Sequence, residues 1–222
     1  YIIIKKEEYM KDIFNIDNVF KALVIILLAT MAFGAKAASV SGNVGLTSDY
    51  IFRGQSQTQG DSAISGGFDL DAGKGFYLGA WASEVSYAGS DADLELDTYV
   101  GWGTDVNGVS INLSYVDYDY SGDSSLNGSE YQIGLGYEGF SFLHVLGQDG
   151  FNDYTEVGYS ISNVADISYG SWDNVGDNWS ISRSFDLPMG IEGTIAYVDF
   201  AAEDGSGLAD EDSFVFGLSK SF

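Results

Sequence analysis

The chain has 222 residues, 33 of them Asp or Glu against nine Lys or Arg, with one His, no Cys and a formal net charge of −24. Such a chain lacks the basic patch that phosphate neutralisation requires, which excludes nucleic acid as a partner. With 29 Gly, 15 Tyr, 14 Phe and one Pro it is unlike a disordered chain, which is poor in aromatics, and without Cys it is not a disulfide scaffold.

The N-terminal segment reads as a targeting signal. Residues 22–33 form an apolar run of twelve, "ALVIILLATMAF", preceded by Lys11 and Lys21 and followed by Ala35, Lys36 and Ala37, an A-x-A end. A spanning helix needs about 20 apolar residues, so this run is a secretory signal peptide with cleavage expected after Ala37. Met10 is the expected start of translation and residues 1–9 an upstream extension. Residues 1–37 are therefore set apart, and 38–222 form the expected mature domain. Removing 1–37 takes away five lysines and four acids, which moves the net charge from −24 to −25 and leaves Arg53, Lys74, Arg183 and Lys220 as cations.

From Ala38 onward apolar residues recur with period two, the signature of strands. In the opening strand Val40, Gly42, Val44, Leu46, Tyr50 and Phe52 share one face, and Ser41, Asn43, Thr47, Asp49 and Arg53 the other. Ile64, Phe68 and Leu70 then alternate with Ser65, Asp69 and Asp71. Phe76, Leu78, Ala80 and Ala82 alternate with Tyr77, Trp81 and Ser83, and Leu94, Leu96, Val100 and Trp102 with Asp93, Glu95, Asp97 and Tyr99. The pattern continues through 109–115 and 131–137, through runs near 140–147, 154–162, 164–171 and 178–187, and ends with 191–200 and 212–222. The total is twelve strands.

A soluble sandwich alternates too, and connection lengths and ring positions separate the two readings. Connections are short at 72–75, 105–108, 138–139 and 188–190 and longer at 54–62, 119–129 and 201–211, the asymmetry of outer-membrane barrels. Rings sit at strand ends, as at Tyr50, Phe52, Phe76, Trp102, Tyr131 and Tyr137, where two membrane interfaces select them. The fold class is therefore all-β: one antiparallel transmembrane β-barrel of about twelve strands, preceded by a cleaved signal peptide. The last strand places Phe214, Phe216, Leu218 and Phe222 on one face, and an aromatic terminus of this kind is the general handle for the barrel-assembly machinery. Lys220 interrupts that face close to an interface, where a lipid-facing Lys costs only about 0–1 kcal/mol and its stem can snorkel.

The stretch "SGNVGLTSDYIFRGQSQTQGDSAISGGFDL" resembles the start of the TorF-type porins, a proteobacterial family also catalogued as Gcw_chp and described as of unknown function. The resemblance is dense over residues 41–83, where "GLTSDYIFRG", "SQT", "AISGGFD" and "GFYLGAWAS" stand in order, and fades to strand pattern beyond. It implies an outer-membrane barrel and suggests a pore, and it supplies no substrate, cofactor or catalytic residue.

The polar faces of the strands give the candidate site. Asp49, Arg53, Asp69, Asp93, Glu95, Asp97, Glu130 and Glu156 are the expected pore-lining residues, and acidic rings select cations. Twelve strands tilted by ~40° give a backbone diameter of about 24 Å, much of it taken up by side chains. The expectation is a narrow, passive, cation-preferring channel for ions or small solutes, surrounded by outer-membrane lipid. The alternative is a barrel with a structural or surface-interaction role, or less readily a lipid-modifying enzyme.

The lipase, acyltransferase and protease chemistries of small outer-membrane barrels usually need a held histidine, and His144 in "SFLHVLG" is the one available. No catalytic role, cofactor or metal is therefore assigned. "DYDYSGDSSLNG" sets Asp117, Asp119 and Asp123 at positions one, three and seven of a calcium loop, yet position twelve is Gly128 where a bidentate Glu belongs. These three are only weak metal candidates. Arg53, at the outer end of the first strand, is expected to pair with luminal carboxylates.

Overall fold

The computed structural model describes residues 39–222, so the signal peptide reading lies outside the described residues. Twelve strands close into one antiparallel barrel. In chain order they are β1 (Ser39–Thr47), β4 (Ala63–Gly73), β5 (Phe76–Glu84), β6 (Leu94–Val106), β7 (Val109–Ser121), β8 (Gly128–Tyr137), β9 (Phe140–Gln148), β10 (Tyr154–Ile161), β11 (Ala165–Trp172), β12 (Gly176–Leu187), β13 (Ile191–Ala202) and β14 (Glu211–Ser221). Each pairs with its sequence neighbour, and β1 closes the sheet on β14 with Asn43 opposite Ser221 and Thr47 opposite Gly217. Gly42 and Phe222 exchange two backbone hydrogen bonds of 2.9 Å below that pair. Closure leaves no free edge, as a membrane requires of a sheet. Two further strands, β2 (Ile51–Phe52) and β3 (Gln55–Ser56), form a separate small hairpin.

The period-two reading fixes the faces. Val40, Val44 and Leu46 on β1 and Ile64 and Phe68 on β4 are exposed on the outer surface, as are Phe214, Phe216 and Leu218 on β14. Paired residues share a face, so Leu96 opposite Ala82 and Ile195 opposite Phe216 continue the apolar band around the wall. A soluble sandwich would bury these side chains, whereas here only lipid can cover them.

The two ends differ. At the turn end, Lys74–Gly75, Asn107–Gly108 and Glu138–Gly139 each carry two positive φ angles, the type I′ geometry that matches strand twist. At the other end the connections are longer and include 48–62, 85–93 and 203–210.

The first connection departs from expectation. The opening strand does not run to Arg53: β1 stops at Thr47, and Thr47 Oγ1 donates 2.8 Å to the Asp49 carbonyl where the chain turns off the wall. Residues 48–58 fold back into the barrel instead of forming an outer loop, and exposed residues 59–62 lead on to β4.

The wall parity is testable in liposomes by denaturant titration. Phe216→Arg, on the outer face mid-strand, should destabilise the barrel by about 2–4 kcal/mol. Ser219→Arg, on the exposed luminal face of the same strand, should change stability by under ~1 kcal/mol. Equal effects would contradict the assigned faces.

Candidate functional site

The inward hairpin is built from a turn that the barrel uses elsewhere. Arg53 and Gly54 form its tip with φ of 49° and 92°, the same left-handed X-Gly pair as in the three tight turns. An ideal Cβ on Gly54 would lie 2.6 Å from Asn178 Cβ and 3.0 Å from Phe200, so only glycine lets the tip nest against β12 and β13. For Arg53 the left-handed conformation costs about 1–2 kcal/mol. Its side chain supplies the compensation.

Arg53 Nη1 and Nη2 donate to Glu130 Oε1 and Oε2 at 2.6 and 2.8 Å, a bidentate pair whose side chains are 6% and 0% exposed. Tyr118 Oη (3.0 Å) and Gln132 Nε2 (3.2 Å) also donate to Glu130 Oε2. The guanidinium lies 4.5 Å from the ring centroids of Phe52 and Tyr154 and 5.3 Å from that of Trp172. A weakly hydrated planar cation between rings, with its carboxylate fully bonded, is a buried pair whose desolvation is well compensated.

The rest of the segment is tied to other walls. Asp49 accepts from Ser56 Oγ (2.6 Å), Thr58 Oγ1 (2.9 Å) and Ser213 Oγ of β14 (3.4 Å). The Ser56 amide donates 3.1 Å to Glu211. Tyr50 packs edge-on against Trp81 of β5 and reaches Glu95 of β6 at 3.4 Å. Tyr87 of the 85–93 connection donates 2.6 Å to Gln57, and burial, then the Glu95 carboxylate, push its phenol above the usual tyrosine range. The hairpin thus crosses the lumen at the loop end. Gly170 on β11 makes room for this layer, since a Cβ there would meet Tyr154 Oη at 2.0 Å.

Most acids expected in the lumen are there. Asp69 accepts a short hydrogen bond from Tyr99, Glu156 accepts from Tyr154 at 2.8 Å, and Glu95 and Glu130 are 1% and 0% exposed. Asp97 shares the luminal face of β6 with Glu95, and Asp49 is held in the hairpin. Asp93 is the exception, because it lies exposed at the rim with its amide bonded to the Ser121 carbonyl at 3.3 Å. Tyr50 and Phe52, expected at the lipid interface, point into the barrel, because the parity that placed them assumed a strand continuing past Thr47. Tyr118, Tyr154 and Trp172 complete the Arg53 cage unforeseen, although luminal parity and even spacing were available to mark them.

The three weak metal candidates take separate places. Asp117 and Asp119 lie opposite Thr98 and Leu96, on the outer face of β7. Asp119 instead accepts from Asn127 at 2.7 Å, while Asp123 caps a short 3₁₀ turn at Ser124–Leu126. Hydrogen bonds from Ser125 and Ser90 hold the Asp123 carboxyl below its ordinary range. Among the described residues no group of three or more His, Cys, Asp or Glu side chains converges to hold a metal ion. His144 sits on the outer face of β9 opposite Ile133, its Nδ1 2.9 Å from Thr155 Oγ1, away from the luminal acids.

The model of one family, described as bacterial protein of unknown function (Gcw_chp), matches residues 31–214. The chain belongs to the Gcw_chp family. No curated protein matches the sequence. Among solved structures it is similar to KdgM porin, at 10% identity and a TM-score of 0.51, covering 84% of this chain and 99% of that one. It is also similar to a membrane protein solved in a study of in-meso crystallisation, at 9% identity and a TM-score of 0.52, covering 82% and 83%. At these identities the likeness is one of fold, an outer-membrane type of barrel.

The clamp gives a stability prediction for this family member. Arg53→Ala or Glu130→Gln leaves a buried partner uncompensated and should cost about 3–5 kcal/mol in hairpin docking. Arg53→Met combined with Glu130→Leu should cost clearly less than the sum of Arg53→Met and Glu130→Leu made singly. Protease susceptibility at residues 54–62 and thermal melting in detergent measure this, and strict additivity would show that the two residues do not act as a pair.

Proposed function

We propose that the chain is an outer-membrane channel with a cation-preferring lumen, closed at its loop end by the 48–58 hairpin in the conformation described here. The reading places the tight turns in the periplasm and the longer connections outside, following the habit of such barrels. The C-terminal strand, with Phe222 exposed beyond it, is the segment offered to the assembly machinery.

Luminal charge carries the reading. Among the described residues Arg183 and Lys220 face outward, opposite Ile195 and Val44, and Lys74 lies in a turn. Arg53 is the one cation inside, and Glu130 neutralises it. Asp69, Glu95, Asp97, Glu156, Asp186 and Glu192 all share the inward face, with no inward cation left to balance them. Fixed carboxylates in a low-dielectric wall raise cation concentration and repel anions. Toward the turn end the inward residues are mostly small and polar, including Ser182, Ser184, Thr194 and Ser219, and Ser184 Oγ lies 3.0 Å from Thr194 Oγ1. Small polar side chains leave this half less filled than the other, which the hairpin and the Arg53 rings occupy.

The closed half favours a second reading, a barrel that stays shut and serves a structural role. Planar bilayers separate the two. A gated channel gives conductance steps with a reversal potential for cation preference in a KCl gradient, and Arg53→Ala raises open probability or unit conductance at least severalfold. Folded wild type and Arg53→Ala that are both silent would support the structural role, and anion preference would overturn the selectivity.

A further inference from the structure

Four acidic or basic side chains meet where the hairpin crosses the lumen, and only two of them form an ion pair. Arg53 and Glu130 neutralise one another. Glu95 and Asp97 remain, two residues apart on the luminal face of β6 and facing Ser83 and Trp81. Glu95 is 1% exposed, and its Oε2, together with Asp97 Oδ1, is buried with no hydrogen-bond partner. Buried carboxylate oxygens without a donor are costly, and either a cation or a proton must relieve them. Tyr50 Oη donates to Glu95 Oε1 at 3.4 Å and Tyr87 gives its hydroxyl to Gln57, which leaves Glu95 Oε2 and Asp97 Oδ1 without a donor.

We propose that Glu95 and Asp97 form an intraluminal site for a hard divalent cation. Two carboxylates match its charge, and hard ions of this class take six to eight oxygens, carboxylates, neutral oxygens and water among them. Tyr50 supplies a phenol oxygen beside Glu95, and the edge-on Tyr87 and Tyr120 rings, 6.0 Å apart, wall the position. The site continues toward the turn end through Asp69, which is bonded to Tyr99, the next inward residue of β6 after Asp97. Carboxylates therefore descend one wall of the lumen from the buried pair. Because the hairpin supplies Tyr50, an ion bound here also ties the hairpin to β6, two strands along the wall from the Arg53 clamp on β8.

The site deepens the cation-preference reading and rests on it for its role in transport, but binding can be measured without conduction. The full chain folded in detergent is titrated with Tb³⁺, a luminescent stand-in for Ca²⁺ that neighbouring Tyr and Trp rings sensitise, and folding is verified by the heat-dependent gel shift. Wild type should show saturable emission that Ca²⁺ displaces. Emission at the same Tb³⁺ concentration should fall at least tenfold in Glu95→Gln and in Asp97→Asn, and stay within twofold in Glu203→Gln, an exposed loop acid. Two variants are used so that one misfolded protein does not remove the test. A folded wild type with no saturable emission overturns the site, as does a folded Glu95→Gln or Asp97→Asn that binds like wild type, the outcome expected if a shared proton serves the pair. Conduction without Tb³⁺ binding sinks the site and leaves the channel, whereas binding without conduction sinks the channel and leaves the site.

Discussion

A single buried ion pair decides whether this barrel is hollow or filled at its loop end. Arg53 sits in a left-handed turn that it does not favour, on a connection that water would otherwise solvate. Two charge-assisted hydrogen bonds to Glu130, two further donors to that carboxylate and three surrounding rings reverse the preference. Because the pair is enclosed, its strength is not diluted by solvent, and removing either half leaves the other stranded. The aromatic layer, the glycine clearances and the Asp49 hydrogen bonds follow from having that hairpin in place.

The wall was legible from the sequence because lipid makes two demands: every backbone group must pair, and the outward band of side chains is predominantly apolar. Val40, Ile64, Phe68, Leu96, Ile195 and Phe216 meet the second, so period two returned twelve strands and their faces. The tight turns were legible for a related reason, since X-Gly pairs at Lys74, Asn107 and Glu138 declare their backbone angles. The outward His144 is an exception whose ring and the Thr155 hydroxyl satisfy one another on the surface.

The interior was legible only in part. Alternation reports which side of a continuing strand a residue takes, and it cannot report that the strand has ended. Tyr50 and Phe52 keep the parity of Val44 and Leu46, yet β1 stops at Thr47 and the chain turns inward. An aromatic near a strand end suits a membrane interface and a lumen plug equally, because both pair an apolar body with a nearby polar group. The distinguishing mark was Arg53–Gly54, the same turn grammar as the three hairpin tips, standing where a long loop was expected. The Arg53 partner was beyond reach for a different reason: Glu130 is 77 residues away, and only the closed topology brings β8 across from the first connection.

On the channel reading, gating and selectivity are one device. The hairpin carries the only inward cation among the described residues, so its departure removes Arg53 and uncovers Glu130 in the same step. The lumen then gains a negative charge where the hairpin had crossed it, on the strand two along from Glu95 and Asp97. Opening therefore makes the pathway more attractive to cations at the moment it widens, where a neutral plug would leave selectivity unchanged. The same electrostatics favour closure once the hairpin returns, since a guanidinium is drawn into a ring of carboxylates whose nearest member matches its two-pronged geometry. An arginine in so acidic a lumen is thus the counter-charge that allows a cation-attracting interior to be shut.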